Sequence, residues 1–153
     1  MRLAEALTAR ADLQRRIEQL RARITANARY QEGEEPAEDA SALLVEAEEA
    51  LEALRVLIGR INATNARLDL GVDGTMTDAL AARDVLRWKH SVLADAAAAA
   101  SGTAGFRQMR SELRQLSALP VAPLRVRADE TARELRELDN RIQQANWTHD
   151  LEE

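Results

Sequence analysis

His90 and His149 are the residues from which metal chemistry would start in this chain. Helical proteins hold dicarboxylate metal centres with inward-facing Glu-x-x-His pairs, because residues three apart share a helix face. Position 87 is arginine and position 146 is asparagine, so neither histidine has the carboxylate that the motif needs. No metal site is expected, and the two histidines read as partly exposed structural residues. All-helical nucleotide pyrophosphohydrolases hold magnesium between a Glu-x-x-Glu and a later Glu-x-x-Asp. Glu46 and Glu49 supply the first half, but no Glu in the chain is followed three residues later by Asp. A solvated acidic helix start accounts for Glu46 and Glu49. The glycines are scattered along the chain, with no Gly-x-Gly-x-x-Gly or Walker-type spacing to cradle a phosphate. The absence of cysteine removes disulfides, thiolate metal sites and thiol catalysis together. With no strand-turn-helix nucleophile elbow either, hydrolase schemes have no starting point. No cofactor is expected.

The polar residues to watch are Asn62, Asn65, Arg83, Asp84, Glu112, Asn146 and Trp147. Asn62 and Asn65 lie near one end of a predicted second helix, and Arg83 and Asp84 near the start of a third. A short Asp73-Gly74 connection would bring them together, with the segment around Asn146 and Trp147 as a third wall. The preferred reading is a hydrogen-bonded network that fixes helix ends and register. The alternative is a pocket for a small ligand, in a binding protein or an enzyme of unrecognised type.

The elements that must carry these residues are helices. Leu3, Ala6, Arg10, Leu13, Ile17, Leu20, Ile24 and Asn27 alternate steps of three and four, which predicts a helix over about 2–30. Gly33 and Pro36 break the pattern. Asp39 is a good N-cap for a second helix over about 40–67, with a seam at Leu44, Ala47, Leu51, Leu54, Ile58, Ile61, Asn65 and Leu68. The short connection folds these two back antiparallel. That arrangement sets Arg15, Arg16, Arg21, Arg23 and Arg29 beside Glu46, Glu48, Glu49 and Glu52. Asp73-Gly74 between short apolar alternations marks a turn, with a tiny β-hairpin near 68–76 as one outcome. Thr77 is expected to cap a third helix over 77–100. Its broad apolar face (Leu80, Ala81, Val85, Leu86, Trp88, Val92, Leu93, Ala96, Ala97) makes it the most buried one. Residues 106–121 read as a short helix or an extended strand, with the strand preferred. Pro123 opens a last helix over about 123–146, with a seam at Leu124, Ala128, Thr131, Leu135, Leu138, Ile142 and Ala145. Asp129 with Arg133 and Glu137 with Arg141 add pairs four apart, and Trp147 is expected to dock back on the bundle. The expectation is a single helical domain over 1–153, mainly all-α, as a four-helix bundle of long antiparallel hairpins.

Composition agrees. Hydrophobic residues make up 46% of the chain and aromatic ones only 3%, so the core is Leu, Ile, Val and Ala, which suits close helix packing. A net charge of −5 opposes nucleic-acid and anionic-membrane partners. No run approaches the roughly 18 apolar residues of a membrane span. The N-terminal segment enters a charged helix without an apolar leader, so a cytoplasmic location is expected.

Several segments resemble a group of small bacterial helical proteins known as septicolysin-like. They are Leu3-Ala4-Glu5-Ala6-Leu7 with Arg10-Ala11-Asp12-Leu13, Gln31-Glu32-Gly33 with Pro36, and Ile61-Asn62-Ala63-Thr64-Asn65. Thr77-Asp78-Ala79-Leu80 with Arg83-Asp84, and Leu138-Asp139-Asn140-Arg141-Ile142-Gln143 with Asn146-Trp147-Thr148, complete the set. The group has no established activity, so the resemblance brings no functional residues. Its name implies a secreted pore-former, which would need an apolar surface to present to lipid. Here every clear helix commits its apolar stripe to a seam. The expected function is therefore a non-enzymatic structural or interaction protein that self-associates, because thin helical hairpins leave apolar surface that a second copy can cover.

Overall fold

The alternating apolar steps become helices. The computed structural model describes residues 1–102 and 113–152. The fold is all-α: α1 spans Leu3–Asn27, α2 Ala40–Arg67, α3 Met76–Ala100 and α4 Val121–Thr148. A 3-10 turn at Gly71–Asp73 precedes α3, and the described residues contain no sheet. The chain divides into two compact units, 1–68 with 145–153 and 69–144.

In the first unit α1 and α2 run antiparallel. Leu20 of α1 packs on Leu43 and Ala47 of α2, with Ile24 against them. The α1 seam is the expected one, with Leu3, Ala6 and Leu20 buried and Arg10, Leu13, Ile17, Ile24 and Asn27 half-buried. The polar seam residue Asn27 ties the turn together. Its Nδ2 donates to the Arg23 carbonyl at 2.9 Å, and its Oδ1 accepts from the Glu38 amide at 3.1 Å. Asp39 caps α2, its carboxylate accepting from the Ser41 and Ala42 amides at 2.9 and 3.2 Å. Of the expected cross-helix charge pairs, Arg16 reaches Glu46 at 2.7 Å. Arg23 instead binds Glu38, and Glu52 is held by Arg55 on its own helix.

The α2 seam differs from the expected one by one position at every second step. The buried residues are Leu43, Ala47, Ala50, Ile61 and Thr64, while Leu44 and Leu51 are each 50% exposed. Adjacent pairs such as Leu43-Leu44 and Ala50-Leu51 offer two registers of similar hydropathy. The one adopted puts Ala50 rather than Leu51 on the buried side beside Ala47, where small side chains let helices approach closely.

In the second unit α3 and α4 run antiparallel, with Leu93 and Ala97 packed on Leu124 and Ala128. The α4 seam is as expected, with Leu124, Ala128, Thr131, Leu138, Ile142 and Ala145 buried. The buried Thr131 hydroxyl donates to the Arg127 carbonyl at 2.9 Å. The expected i,i+4 pairs give way to others: Arg133 faces Glu137, and Arg141 binds Asp73.

Three further expectations about this region are corrected. The N-cap of α3 is Thr75 rather than Thr77, because Thr75 and Asp78 form a reciprocal capping box. The segment 68–76 is not a hairpin of strands but a single Asp69–Thr75 bridge closed over the 3-10 turn. Gly74 makes that closure with φ +74°, and a Cβ there would meet Asp78 Oδ2 at 2.8 Å. Finally, α3 is not the most buried helix. Its seam runs through Met76, Ala79, Arg83, Leu86, His90, Leu93, Ala97 and Ala100, and much of its apolar surface lies roughly opposite. Residues 113–120 form neither helix nor strand, and the rest of the segment left open between the two lies outside the described residues up to 112.

Candidate functional site

Val85, Trp88 and Val92 project from one face of α3, and they are 65%, 75% and 64% exposed. Their spacing of three and four places them in a single stripe, which the exposed Ala81 and Ala99 extend. Asp84 lies along one edge of this stripe and Lys89 along the other, and Asp95 interrupts it between Val92 and Ala99. The opposite face packs α3 on α4, Leu93 and Ala97 against Leu124 and Ala128. The helix start is fixed as well. Thr75 Oγ1 donates to Asp78 Oδ2 at 2.7 Å and its amide donates to the same oxygen at 2.9 Å. These hydrogen bonds hold the Asp78 carboxyl below the usual carboxylate range. A second apolar surface, Leu44, Val45, Leu51 and Val56, is left on α2 in the other unit.

The first unit also seats the segment that follows α4. The Leu3 amide donates to the His149 carbonyl at 2.9 Å, and the Leu151 amide to the Met1 carbonyl at 2.8 Å. The Glu152 amide donates to Thr64 Oγ1 at 3.0 Å, and its carbonyl accepts from Arg60 Nε at 2.8 Å. Arg67 binds the Glu152 carboxylate at 2.6 Å. Leu151 is buried between these anchors. Trp147, expected to dock, is instead 64% exposed, since its position on α4 faces away from the buried Ala145 and Asn146.

The residues singled out from the sequence divide between the units. Asn62 is exposed, Asn65 half-buried, Asn146 buried and Trp147 exposed in the first unit. In the second, Arg83 lies 3.4 Å from Asp84 and 3.7 Å from Asp139. Glu112 lies outside the described residues. The seat for residues 149–152 was not foreseen, because Arg60, Thr64 and Arg67 carry no local signal for it. The exposed stripe was foreseen as apolar but assigned to the core. Among the described residues, no three His, Asp or Glu side chains come together as a metal-binding group.

The family model that matches this chain covers residues 10–151 and describes a family of unknown function, DUF6847. The chain belongs to that family. It is similar to a functionally unknown conserved protein from Corynebacterium diphtheriae, seen in a crystal structure, at 36% identity. The match covers 99% of each chain with a TM-score of 0.91. Comparison with curated proteins gave no match. The family and the solved neighbour therefore support the fold and assign no activity.

Proposed function

We propose that this protein is a non-enzymatic helical interaction protein that self-associates through an apolar helix face. The observation that carries this is the α3 stripe, where Trp88 is 75% exposed between two valines that are almost as open. Burying each such side chain stabilises an assembly by roughly 1.5–3 kcal/mol. That is large against a domain stability of about 5–15 kcal/mol. Trp is also the residue type most enriched at the energetic centres of interfaces. The partner in this reading is another copy of the chain in the cytoplasm. The net charge of −5 works against nucleic acid and anionic membrane in that place. Light scattering on a sizing column tests the reading across a concentration series. The expected result is a mass rising from 17.0 kDa toward at least twice that value, with Trp88→Ala returning it to the monomer. A monomer at every concentration would sink the reading.

A further inference from the structure

The exposed face of α3 repeats as a self-pairing helix does. Ala81, Val85, Trp88 and Val92 follow steps of four, three and four, which is the seam of a helix facing a partner helix. The charged residues at its edges then decide which way the partner runs. In a parallel pair of identical helices, a residue on one edge faces the residue five positions later on the opposite edge of the other copy. Asp84 lies on one edge and Lys89, five positions on, lies on the other. In an antiparallel pair like edges meet, so Asp84 would approach the Asp84 edge of the second copy and Lys89 the Lys89 edge. Only the parallel arrangement is attractive, and symmetry supplies that attraction twice.

We propose that two copies pair in parallel, α3 on α3, with Asp84 of each facing Lys89 of the other across a Val85–Trp88–Val92 contact. This deepens the self-association reading and rests on it. Asp84 is open to such a partner. Its carboxylate is 60% exposed, and its contacts within the chain, Arg83 at 3.4 Å and Arg87 at 3.7 Å, are long. Asp95, the next residue along the seam after Val92, limits the contact. A parallel pair brings its two copies together, and like charges at that point stop the helices from following each other further. The pair is therefore short and centred on Trp88, where in a parallel arrangement each ring meets its own counterpart.

The chain has no cysteine, so introduced thiols report on orientation directly. In the full chain, Val85→Cys and Val92→Cys should each give a disulfide-linked dimer on mild oxidation when used alone. Cross-linking only in a mixture of the two would show an antiparallel pair and overturn the proposal. Charge exchange tests the edge. Asp84→Lys and Lys89→Asp should each weaken dimerisation about fivefold or more, and the double variant should restore most of it. All four positions are exposed, so far-UV circular dichroism should be unchanged in every variant. A dimer indifferent to the charge exchange and to both cysteines would place the interface elsewhere. It would end this proposal while leaving self-association standing. A monomer by light scattering would end both.

Discussion

Asp73 and Arg141 are joined by two parallel hydrogen bonds, Nε to Oδ2 at 2.5 Å and Nη2 to Oδ1 at 3.0 Å. The Asp73 side chain is only 15% exposed and the Arg141 side chain 47%, so this fork pins the loop before α3 to α4 with water reaching it from the arginine side. Arg141 hydrogen bonding holds the Asp73 carboxyl below its ordinary range. A carboxyl lowered by folding contributes stability above its unfolded pKa of about 3.9 and loses it as pH falls through the folded value. Arg141→Ala should therefore cost about 1 kcal/mol near pH 7, a fall in Tm of roughly 2–4 °C. The gap between variant and parent should begin to narrow below about pH 4 and close once the pH has fallen through the folded value, and a gap that persists beyond that would show that the pair acts through packing.

Cap identity at α3 separates two threonines two positions apart. Thr75→Ala should destabilise by about 1 kcal/mol, because the Asp78 amide loses its acceptor at 3.2 Å. Thr77→Ala should change urea stability by no more than about 0.5 kcal/mol, as its side chain is exposed. Equal effects would contradict the capping box.

The register of α2 can be read from neighbouring leucines. Leu43→Ala removes a buried side chain and should cost about 2–3 kcal/mol. Leu44→Ala, at a site 50% exposed, should cost under about 1 kcal/mol when measured in dilute monomer. The reverse order would restore the seam through Leu44 and Leu51.

The segment after α4 gives a similar contrast. Leu151→Ala should cost about 2 kcal/mol in urea denaturation, and Trp147→Ala far less despite the larger side chain. A greater loss at Trp147 would mean that the indole, not Leu151, anchors this segment.

Among the described residues, no helix is long and apolar enough to cross a membrane. The interaction reading proposed above assigns the protein no lytic role. Monodisperse protein should leave dye-loaded anionic and neutral liposomes intact at neutral pH, and dose-dependent release would count against the interaction reading.

The seams of α1 and α4 were legible because each has one apolar stripe among charges. In α4, Leu124, Ala128, Leu135 and Leu138 stand among Arg125, Arg127, Asp129, Glu130, Arg133 and Glu137, so only one register can be buried. α2 and α3 carry apolar residues on more than one face. There the sequence leaves the choice to packing, and size decides in α2, where Ala50 goes inside and Leu51 outside. The Thr75 cap was legible in Thr-x-x-Asp, although Thr77 with its own apolar follow-on competed for the role. The Arg60, Thr64 and Arg67 seat depends on partners 85 to 92 positions away, which no local periodicity encodes.

The same seat sets an order of events as the chain acquires its structure. The α1–α2 turn needs contacts over short separations, such as Glu38 with Asn27, and can close within the time of local helix pairing. Leu3 and Arg2 must wait for His149 and Thr148, the latter 146 positions away, and closing so long a loop carries a larger entropic cost. The first unit is thus the earliest to begin and among the last to finish. Variants at Leu151 should act mainly on the rate of unfolding, and variants at Leu20 or Leu43 more on the rate of folding.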